Sequence, residues 1–481
     1  MNTAAALLAL TILTISSLAQ ARSPHEREAQ VDRLFAQWNK PDSPGAALAV
    51  IQDGAVIYKR GYGQANLEFG IPNAPDTAFY LCSTSKQFTA MAIALLEEQG
   101  RLRLEDDIRR YLPEMPQYPH PITIRHLIHH TSGLREYFTL WGLAGRNAAD
   151  SISEEENLLM LSRQKALNFA PGEQYSYNNS GYFLLAMIVK RASGRSLRDF
   201  AAEQIFKPLG MNNTQYQDDR TLLIPRRADS YLPRAGGGFA LGKTNFDLVG
   251  SGGIYTTVED LARWDQNFYR NRLGRGGPAL IERVLTKSRL NDGQAHFYAF
   301  GLGVNQYRGE TVHDHSGSFL GYRTELLRFP AHRFSVIVLS NVSTAAADGL
   351  ARAVADIYLA EKFKPDGATT GPGAAAGAAA LPAGPSAPPV LTADQLREFT
   401  GEFVSDELDA VWSLRMEQGQ LAARIRRAQA RTFRPIGEDR FSAPGLTLQF
   451  RRDAQRRILG FVVEAGRVKG VEFVKKTDAS R

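Results

Sequence analysis

In the stretch Ala78-Phe79-Tyr80-Leu81-Cys82-Ser83-Thr84-Ser85-Lys86-Gln87-Phe88, a short apolar run gives way to a helix at a serine, and a lysine follows that serine by three positions. Phe88, Met91, Ala92, Leu95 and Leu96 recur at helical spacing and predict one apolar face. Gly100 is the residue type that commonly sits just past a helix C-terminus. Positions i and i+3 share a helix face, so the Lys86 amine can reach the Ser83 hydroxyl. A serine hydroxyl is a poor nucleophile until a neighbouring base takes its proton, and this pair supplies one. A Ser-x-x-Lys match alone is weak, since about one arises by composition in a chain of this size. A second copy, Ser162-Arg163-Gln164-Lys165, follows Glu154-Glu155-Glu156 without a strand before it and reads as a solvated helix face.

Two further motifs follow in order. Tyr177-Asn178-Asn179 ends the turn-rich run Pro171-Gly172-Glu173-Gln174-Tyr175-Ser176, and His315-Ser316-Gly317 lies just ahead of late β-type runs. Tyr269-Arg270-Asn271 imitates the first of these, but inside an amphipathic helix running from Val258. Upstream, Gly45 to Gly63 predicts a hairpin: Ala46 to Gln52, an Asp53-Gly54 turn that tolerates positive φ, and Ala55 to Arg60. From about residue 100 to 300 the chain is helical and loop-rich. Thr324 to Phe329 and Phe334 to Leu339 are strands joined by Pro330-Ala331-His332-Arg333, and an Ala-rich helix spans 345–361. Strands from both ends with helices between predict an α/β unit whose single antiparallel sheet is closed by the chain's two ends. Residues 365–390 are dominated by Gly, Ala and Pro and form a linker. Over 391–477, Trp412, Leu414 and Met416 alternate up to a Gln418-Gly419 turn, followed by Leu421, Ala423 and Ile425, then Leu446, Leu448 and Phe450. That pattern predicts a separate small antiparallel barrel or sandwich with Trp412 in its core.

With 481 residues, 43% hydrophobic, 22% charged and one cysteine, the chain is neither disordered, collagen-like nor a disulfide scaffold. A net charge of +7 from 57 basic and 50 acidic residues is too thin an excess to select nucleic acid as a partner. Arg424, Arg426, Arg427, Arg451, Arg452, Arg456 and Arg457 are read as solvated strand faces and turns. Residues 4–18 are apolar or small and lead into Ala19-Gln20-Ala21, which reads as a cleaved secretory signal over 1–21, although Met1-Asn2-Thr3 carries no Lys or Arg. The mature chain is therefore expected in the bacterial periplasm or outside the cell, with no stable membrane span. Oligomeric state is not legible.

The three motifs, in this order, resemble the serine β-lactamase and penicillin-recognising family, particularly its class C, DD-carboxypeptidase, D-aminopeptidase and esterase branches. The resemblance covers about 25–361, inside a hydrolase domain of 22–364. It extends to Ile122-Thr123-Ile124-Arg125-His126-Leu127, His130-Thr131-Ser132-Gly133-Leu134 and Gly252-Gly253-Ile254-Tyr255-Thr256-Thr257 with Glu259-Asp260-Leu261. It implies the β-lactamase/DD-peptidase fold, an α+β sandwich of antiparallel sheet and all-helical subdomain. It also implies Ser83 as the acylated nucleophile, Lys86 and Tyr177 as the base pair, and Asn179 as the amide that binds lysine and substrate. His315, Gly317 and Ser318 would line the substrate side, the backbone N–H groups of Ser83 and Ser318 forming the oxyanion hole. No metal or cofactor is implied. Phe399-Thr400-Gly401-Glu402-Phe403, Ser405-Asp406-Glu407-Leu408, Leu446 to Arg452 with Asp453, and Gly460-Phe461 resemble the lipocalin-like β-domain appended to some of these enzymes.

Lowering a lysine from about 10.4 to about 7 takes roughly 4 to 5 kcal/mol. A helix N-terminus supplies only about 0.3 to 1 kcal/mol. Burial must supply the rest, or the proton is shared with Tyr177, and the sequence leaves the base open between the two. The family's third motif usually begins with Lys; here it is His315, mostly neutral at pH 7, which predicts slow or absent β-lactam turnover. His126, His129 and His130 have helical spacing but lack the companions of a metal site, and Cys82 is expected buried and inert. A Gly-x-Ser-x-Gly elbow, the mark of α/β-hydrolases, is absent. The expectation is an exported serine hydrolase of small-molecule or peptide amides, D-amino-acid peptidase or DD-carboxypeptidase-like. The alternatives are a carboxylesterase, a weak β-lactamase and a non-catalytic cell-wall-peptide-binding protein.

Overall fold

A computed structural model describes residues 23–364, 391–426 and 430–476. The expected signal over 1–21 and linker over 365–390 lie outside the described residues. A helix α1 (Pro24–Phe35) leads into strands β1 (Ala46–Gln52) and β2 (Ala55–Tyr62). Their connection, Asp53 at φ 50° and Gly54 at φ 87°, has the paired positive φ values that match strand twist in a tight hairpin. The remaining strands of this sheet come from the other end of the unit: β3 (Gly303–Tyr307), β4 (Glu310–Phe319), β5 (Tyr322–Phe329) and β6 (Phe334–Ser340). The order is β3-β4-β5-β6-β1-β2, and β1 pairs antiparallel with β6 from Ala46 opposite Ser340 to Gln52 opposite Phe334. The two ends of the unit therefore close one sheet, as predicted.

Both faces of that sheet are covered. Leu48, Val50, Val336 and Val338 point into a core shared with Val31 and Phe35 of α1 and with Ala351 and Val354 of a late helix (Ala347–Tyr358). Ala47, Ala49, Ile51, Ile337 and Leu339 point into the larger core of the helical layer. In that layer lie α2 (Lys86–Glu98), α3 (Tyr137–Leu143), α4 (Asn179–Ser193) and α5 (Val258–Asn267). The single apolar face predicted for α2 is corrected by the structure: every residue from Lys86 to Leu96 is buried. Small residues on its other side, Thr89, Ala90 and Ala94, allow close approach of neighbours all round, so the helix passes through the middle of the unit.

The C-terminal strands β7 (Gly401–Ser405), β8 (Ala410–Glu417), β9 (Gln420–Ile425), β10 (Arg431–Gly437), β11 (Arg440–Ala443), β12 (Leu446–Arg452), β13 (Ile458–Ala465) and β14 (Val468–Lys475) form a closed antiparallel barrel. Phe403, Trp412, Leu414, Phe450, Phe461 and Phe473 fill it, on the alternation expected of strands with one buried face. The barrel is bonded to the helical layer. Arg135 Nη1 meets Glu407 Oε2 at 2.5 Å with both side chains buried, and Trp412 Nε1 donates to Leu143 O at 2.8 Å. The second Ser-x-x-Lys copy also departs from its sequence reading: Ser162 ends a helix (Glu154–Ser162), and Lys165 lies beyond it with its N–H on Glu407 Oε2. Arg163 caps the helix, so the two side chains do not share one face. Among the described residues, no helix is long and apolar enough to cross a membrane.

Helix α5 is tied to the sheet by a buried ion pair. Asp265 Oδ1 accepts from Arg328 Nε at 2.6 Å and from Ser335 Oγ at 2.8 Å, with both charged side chains 1% exposed. Asp265→Ala leaves the guanidinium buried without its counter-ion and is expected to cost about 3–5 kcal/mol. The double change Asp265→Leu with Arg328→Met removes both charges and should recover most of that loss, both read as urea midpoints by circular dichroism.

Candidate active site

Ser83 stands in a tight 3-10 turn, Cys82–Ser85, that ends the strand-like run and feeds α2. Cys82 holds φ 52°, a left-handed conformation that bends the chain sharply and leaves Ser83 half-exposed while Cys82, Thr84, Ser85 and Lys86 are buried. Hydroxyls strap the turn to the sheet: Thr84 Oγ1 donates to His315 O at 3.0 Å, and Thr324 Oγ1 donates to Leu81 O at 3.0 Å. Burial pushes the Cys82 thiol well up, so it remains a thiol, as expected of an inert cysteine.

One turn into the helix, Lys86 Nζ lies 3.2 Å from Ser83 Oγ, 2.9 Å from Asn179 Oδ1 and 2.6 Å from Ser251 O. Burial drives this amine well below the ordinary lysine range; Arg467 lowers it further, and Glu136 and Cys82 oppose. The neutral amine has two N–H groups and one lone pair. Asn179 Oδ1 and Ser251 O can only accept, so they take the two N–H groups. The lone pair is left facing the Ser83 hydroxyl, the geometry of a general base. Ser251 O is presented by a turn in which Gly250 (φ 102°) is required: a Cβ there would stand 2.3 Å from Tyr182 O.

Tyr177 and Asn179 arrive together at the start of α4. Asn178 caps that helix by accepting from Gly181 N at 2.8 Å, and its own N–H donates to His130 Nδ1 at 3.0 Å. The Tyr177 ring packs against His130, with centroids 4.4 Å apart, and its centroid lies 4.9 Å from Lys86 Nζ. Burial raises the Tyr177 phenol above its usual range, the Ser83 hydroxyl opposing. Its Oη is buried without a formed hydrogen bond. Asn179 Nδ2 donates to Glu136 Oε1 at 2.9 Å, and Glu136 Oε2 also caps α3 by accepting from Thr139 N at 3.0 Å.

The third motif lies on β4. His315 Nδ1 is 2.6 Å from Ser316 O, which can only accept; Nδ1 therefore carries the proton and Nε2 accepts from Tyr298 Oη at 2.9 Å. Burial pushes His315 down to about 3, Lys86 adding to the effect, so the ring is neutral at physiological pH. At Gly317 the strand meets the Ser83 turn: a Cβ there would lie 2.3 Å from Thr324 Oγ1, 2.7 Å from Leu81 O and 2.8 Å from Cys82 Cβ. Ser318 follows, exposed, opposite Arg323 on β5. Strand β3 pairs with β4 only from Glu310 to Asp314, so among the described residues no strand covers the outer edge of β4 from His315 onward.

Ser83, Lys86, Tyr177, Asn179, His315 and Gly317 are thus brought together, with Ser318 next along the same strand. Glu136, Ser251, Tyr298 and Arg467 join them and were not foreseen. Glu136 reads in the sequence as a residue ahead of an apolar run; the other three carry no local signal at all. The three histidines of the 126–130 segment have separate duties: His126 Nδ1 accepts from Thr123 N at the start of a short helix, His129 Nδ1 bonds Tyr298 O, and His130 seats Asn178.

The family model described as Beta-lactamase matches residues 31–361. A penicillin-binding protein of Bacillus subtilis is 35% identical over 320 residues, covering 62% of this chain and 68% of that protein. A D-aminopeptidase of Gluconobacter oxydans is 30% identical over 345 residues, covering 72% of this chain and 64% of its own length, so the chain spans about two thirds of these relatives. The octameric penicillin-binding protein homologue from Pyrococcus abyssi superposes with a TM-score of 0.61 at 22% identity, over 95% of this chain and 99% of that one.

Since turn and strand backbone meet at Gly317, Gly317→Ala must separate β4 from Ser83. Displacing reacting groups by about 1 Å can cost about a hundredfold. Labelling of Ser83 by a fluorophosphonate is expected to slow by about that factor in this variant; an unchanged labelling rate would contradict the contact.

Proposed function

The chain belongs to the β-lactamase family, and from that premise we propose that it hydrolyses amide or peptide bonds of D-amino-acid substrates through a Ser83 acyl-enzyme. The observation that carries the reading is the buried Lys86 amine, 3.2 Å from Ser83 Oγ and held by Asn179 Oδ1 and Ser251 O, so that in its neutral form the lone pair is left for Ser83. Lys86 takes the Ser83 proton as Oγ attacks the carbonyl carbon. The negative charge developing on the carbonyl oxygen is met by the backbone N–H groups of Ser83 and Ser318, each such donor being worth about 2.7–4 kcal/mol in comparable sites. The unpartnered Tyr177 Oη is the group available to carry a proton to the departing amine, after which water releases the acyl group by the reverse path. The open edge of β4 offers backbone groups along which an extended substrate can lie.

The choice of D-amino-acid amides is supported by the names of the similar proteins and by the neutral third motif. A neutral His315 gives no permanent cation for a β-lactam carboxylate, which favours small amides over β-lactams. The apolar run and small-x-small site before residue 22 support export.

A side-by-side panel of D-alanyl and L-alanyl p-nitroanilides, p-nitrophenyl esters and nitrocefin tests the reading. D-Alanyl amide turnover is expected, with nitrocefin turned over slowly or not at all. Ester cleavage without amide cleavage would point instead to the carboxylesterase. Ser83→Ala should lose at least about a thousandfold in rate and all fluorophosphonate labelling; equal labelling of both proteins would end the nucleophile assignment. Because Lys86 must be neutral to act, kcat/KM should fall as pH drops through its lowered pKa and hold on the alkaline side.

A further inference from the structure

The last hairpin of the barrel ends beside the catalytic groups. Between β13 and β14 the turn Gly466-Arg467 carries a guanidinium whose Nη1 donates to Tyr177 O at 3.1 Å. Its Cζ lies 5.5 Å from the Tyr177 ring centroid, and Nη2 is 3.8 Å from Glu136 Oε2. The Arg467 side chain is 35% exposed, whereas that of Glu136 is 1% exposed. Arg467 is held in place through its own backbone. Its carbonyl accepts from Asn168 Nδ2 at 2.9 Å and from the Glu136 N–H at 3.4 Å, and Lys469 N donates to Asn168 Oδ1 at 2.8 Å. Arg135, the residue before Glu136, completes the clamp with bonds from Nε to Lys469 O and from Nη2 to Gly470 O, each 2.9 Å.

We infer that Arg467 is a positioning residue of the active site, supplied by the barrel, whose guanidinium holds Tyr177 and Glu136 and through them sets Asn179 and the Lys86 amine. The inference rests on the serine-hydrolase reading above and extends it to a part of the chain that the three motifs do not reach. A continuous path of contacts runs from Arg467 to Glu136 Oε2, from Glu136 Oε1 to Asn179 Nδ2, and from Asn179 Oδ1 to Lys86 Nζ. The groups facing Lys86 come from every neighbouring element: Cys82 and Ser83 from its own turn, His130 and Glu136 from the segment before α3, Tyr177, Asn179 and Tyr182 from the start of α4, Ser251 from its turn, and His315 from β4. His130 and His315 are held neutral by burial, and the buried thiol is not ionised. Glu136 is thus the anion that would hold a proton on Lys86, and Arg467 is the cation set against it. Docking of the barrel does not depend on this guanidinium, because Arg135–Glu407 and Trp412–Leu143 join the same two parts elsewhere.

The test uses the full chain carrying Arg467→Met or Arg467→Lys, with kcat/KM on a D-alanyl amide and the rate of Ser83 labelling followed from acid to alkaline pH. Arg467→Met is expected to lose about tenfold to a hundredfold at neutral pH. Its acid limb should move to higher pH, because the amine regains proton affinity when the cation is removed. Arg467→Lys should restore most of the rate and the position of the limb. The inference is overturned if Arg467→Met matches wild type in both readouts. It is equally overturned if the rate falls with the limb unmoved and no rescue by lysine, since the residue would then be mere support. Either result with labelling still dependent on Ser83 leaves the serine-hydrolase reading intact, whereas labelling of Ser83→Ala sinks that reading first.

Discussion

A fully buried lysine amine governs this site. Protonated, it would need a counter-charge in contact; the buried pocket offers only two carbonyl oxygens and a hydroxyl. Desolvation therefore pays for the neutral form, and the neutral form needs only those two acceptors. Everything that places Asn179 Oδ1 and Ser251 O consequently places the lone pair on Ser83. That is why α2 runs through the middle of the unit with its whole first part buried, at the expense of the usual amphipathic arrangement. Had α2 lain on the surface, water would have restored the charge, and Lys86 would have been an ordinary solvated neighbour of a serine.

Closure of the sheet by the chain's two ends serves the same geometry. The turn Cys82–Ser85 follows shortly after β1 and β2, while β4 and β5 come more than two hundred residues later, and only their pairing across β6 and β1 brings them to the turn. The contact at Gly317 is backbone against backbone and side chain, with no room for a Cβ. Hydroxyl straps from Thr84 and Thr324 finish the joint without burying unpaired polar groups. Such a joint is stiff, so the distance between Ser83 and the β4 edge is a property of the fold rather than of side-chain choice.

Legibility in the sequence followed locality. Ser83 and Lys86 sit one helical turn apart, so spacing alone revealed their contact, and the Asp53-Gly54 hairpin and the barrel alternation were equally short-range. Tyr177, Asn179, His315 and Gly317 were found by resemblance, because nothing in their own neighbourhoods says that they meet. Glu136, Ser251 and Tyr298 escaped both routes. Ser251 acts through a backbone carbonyl, which has no residue signature; Glu136 looks like any helix cap; Tyr298 is one aromatic among 17 tyrosines. The single apolar face predicted for α2 failed for a related reason: periodicity reports the strongest packing partner, and Thr89, Ala90 and Ala94 on the other side are too small to register as hydrophobic yet are buried against neighbours.

The neutral His315 and the barrel arginine belong to one charge balance. A lysine at position 315 would place a second ammonium near Lys86 from the side of β4, where the structure has instead a histidine with both ring nitrogens engaged, one by Ser316 O and one by Tyr298 Oη. With no cation on that side, the carboxylate of Glu136 would act on Lys86 unopposed. Arg467, on the barrel turn, meets that carboxylate at 3.8 Å while bonded to the Tyr177 carbonyl. With His315 neutral on β4, the cation that opposes Glu136 comes from the barrel turn. The barrel turn is thus part of the electrostatics around Lys86, because Arg467 acts on the amine together with Glu136.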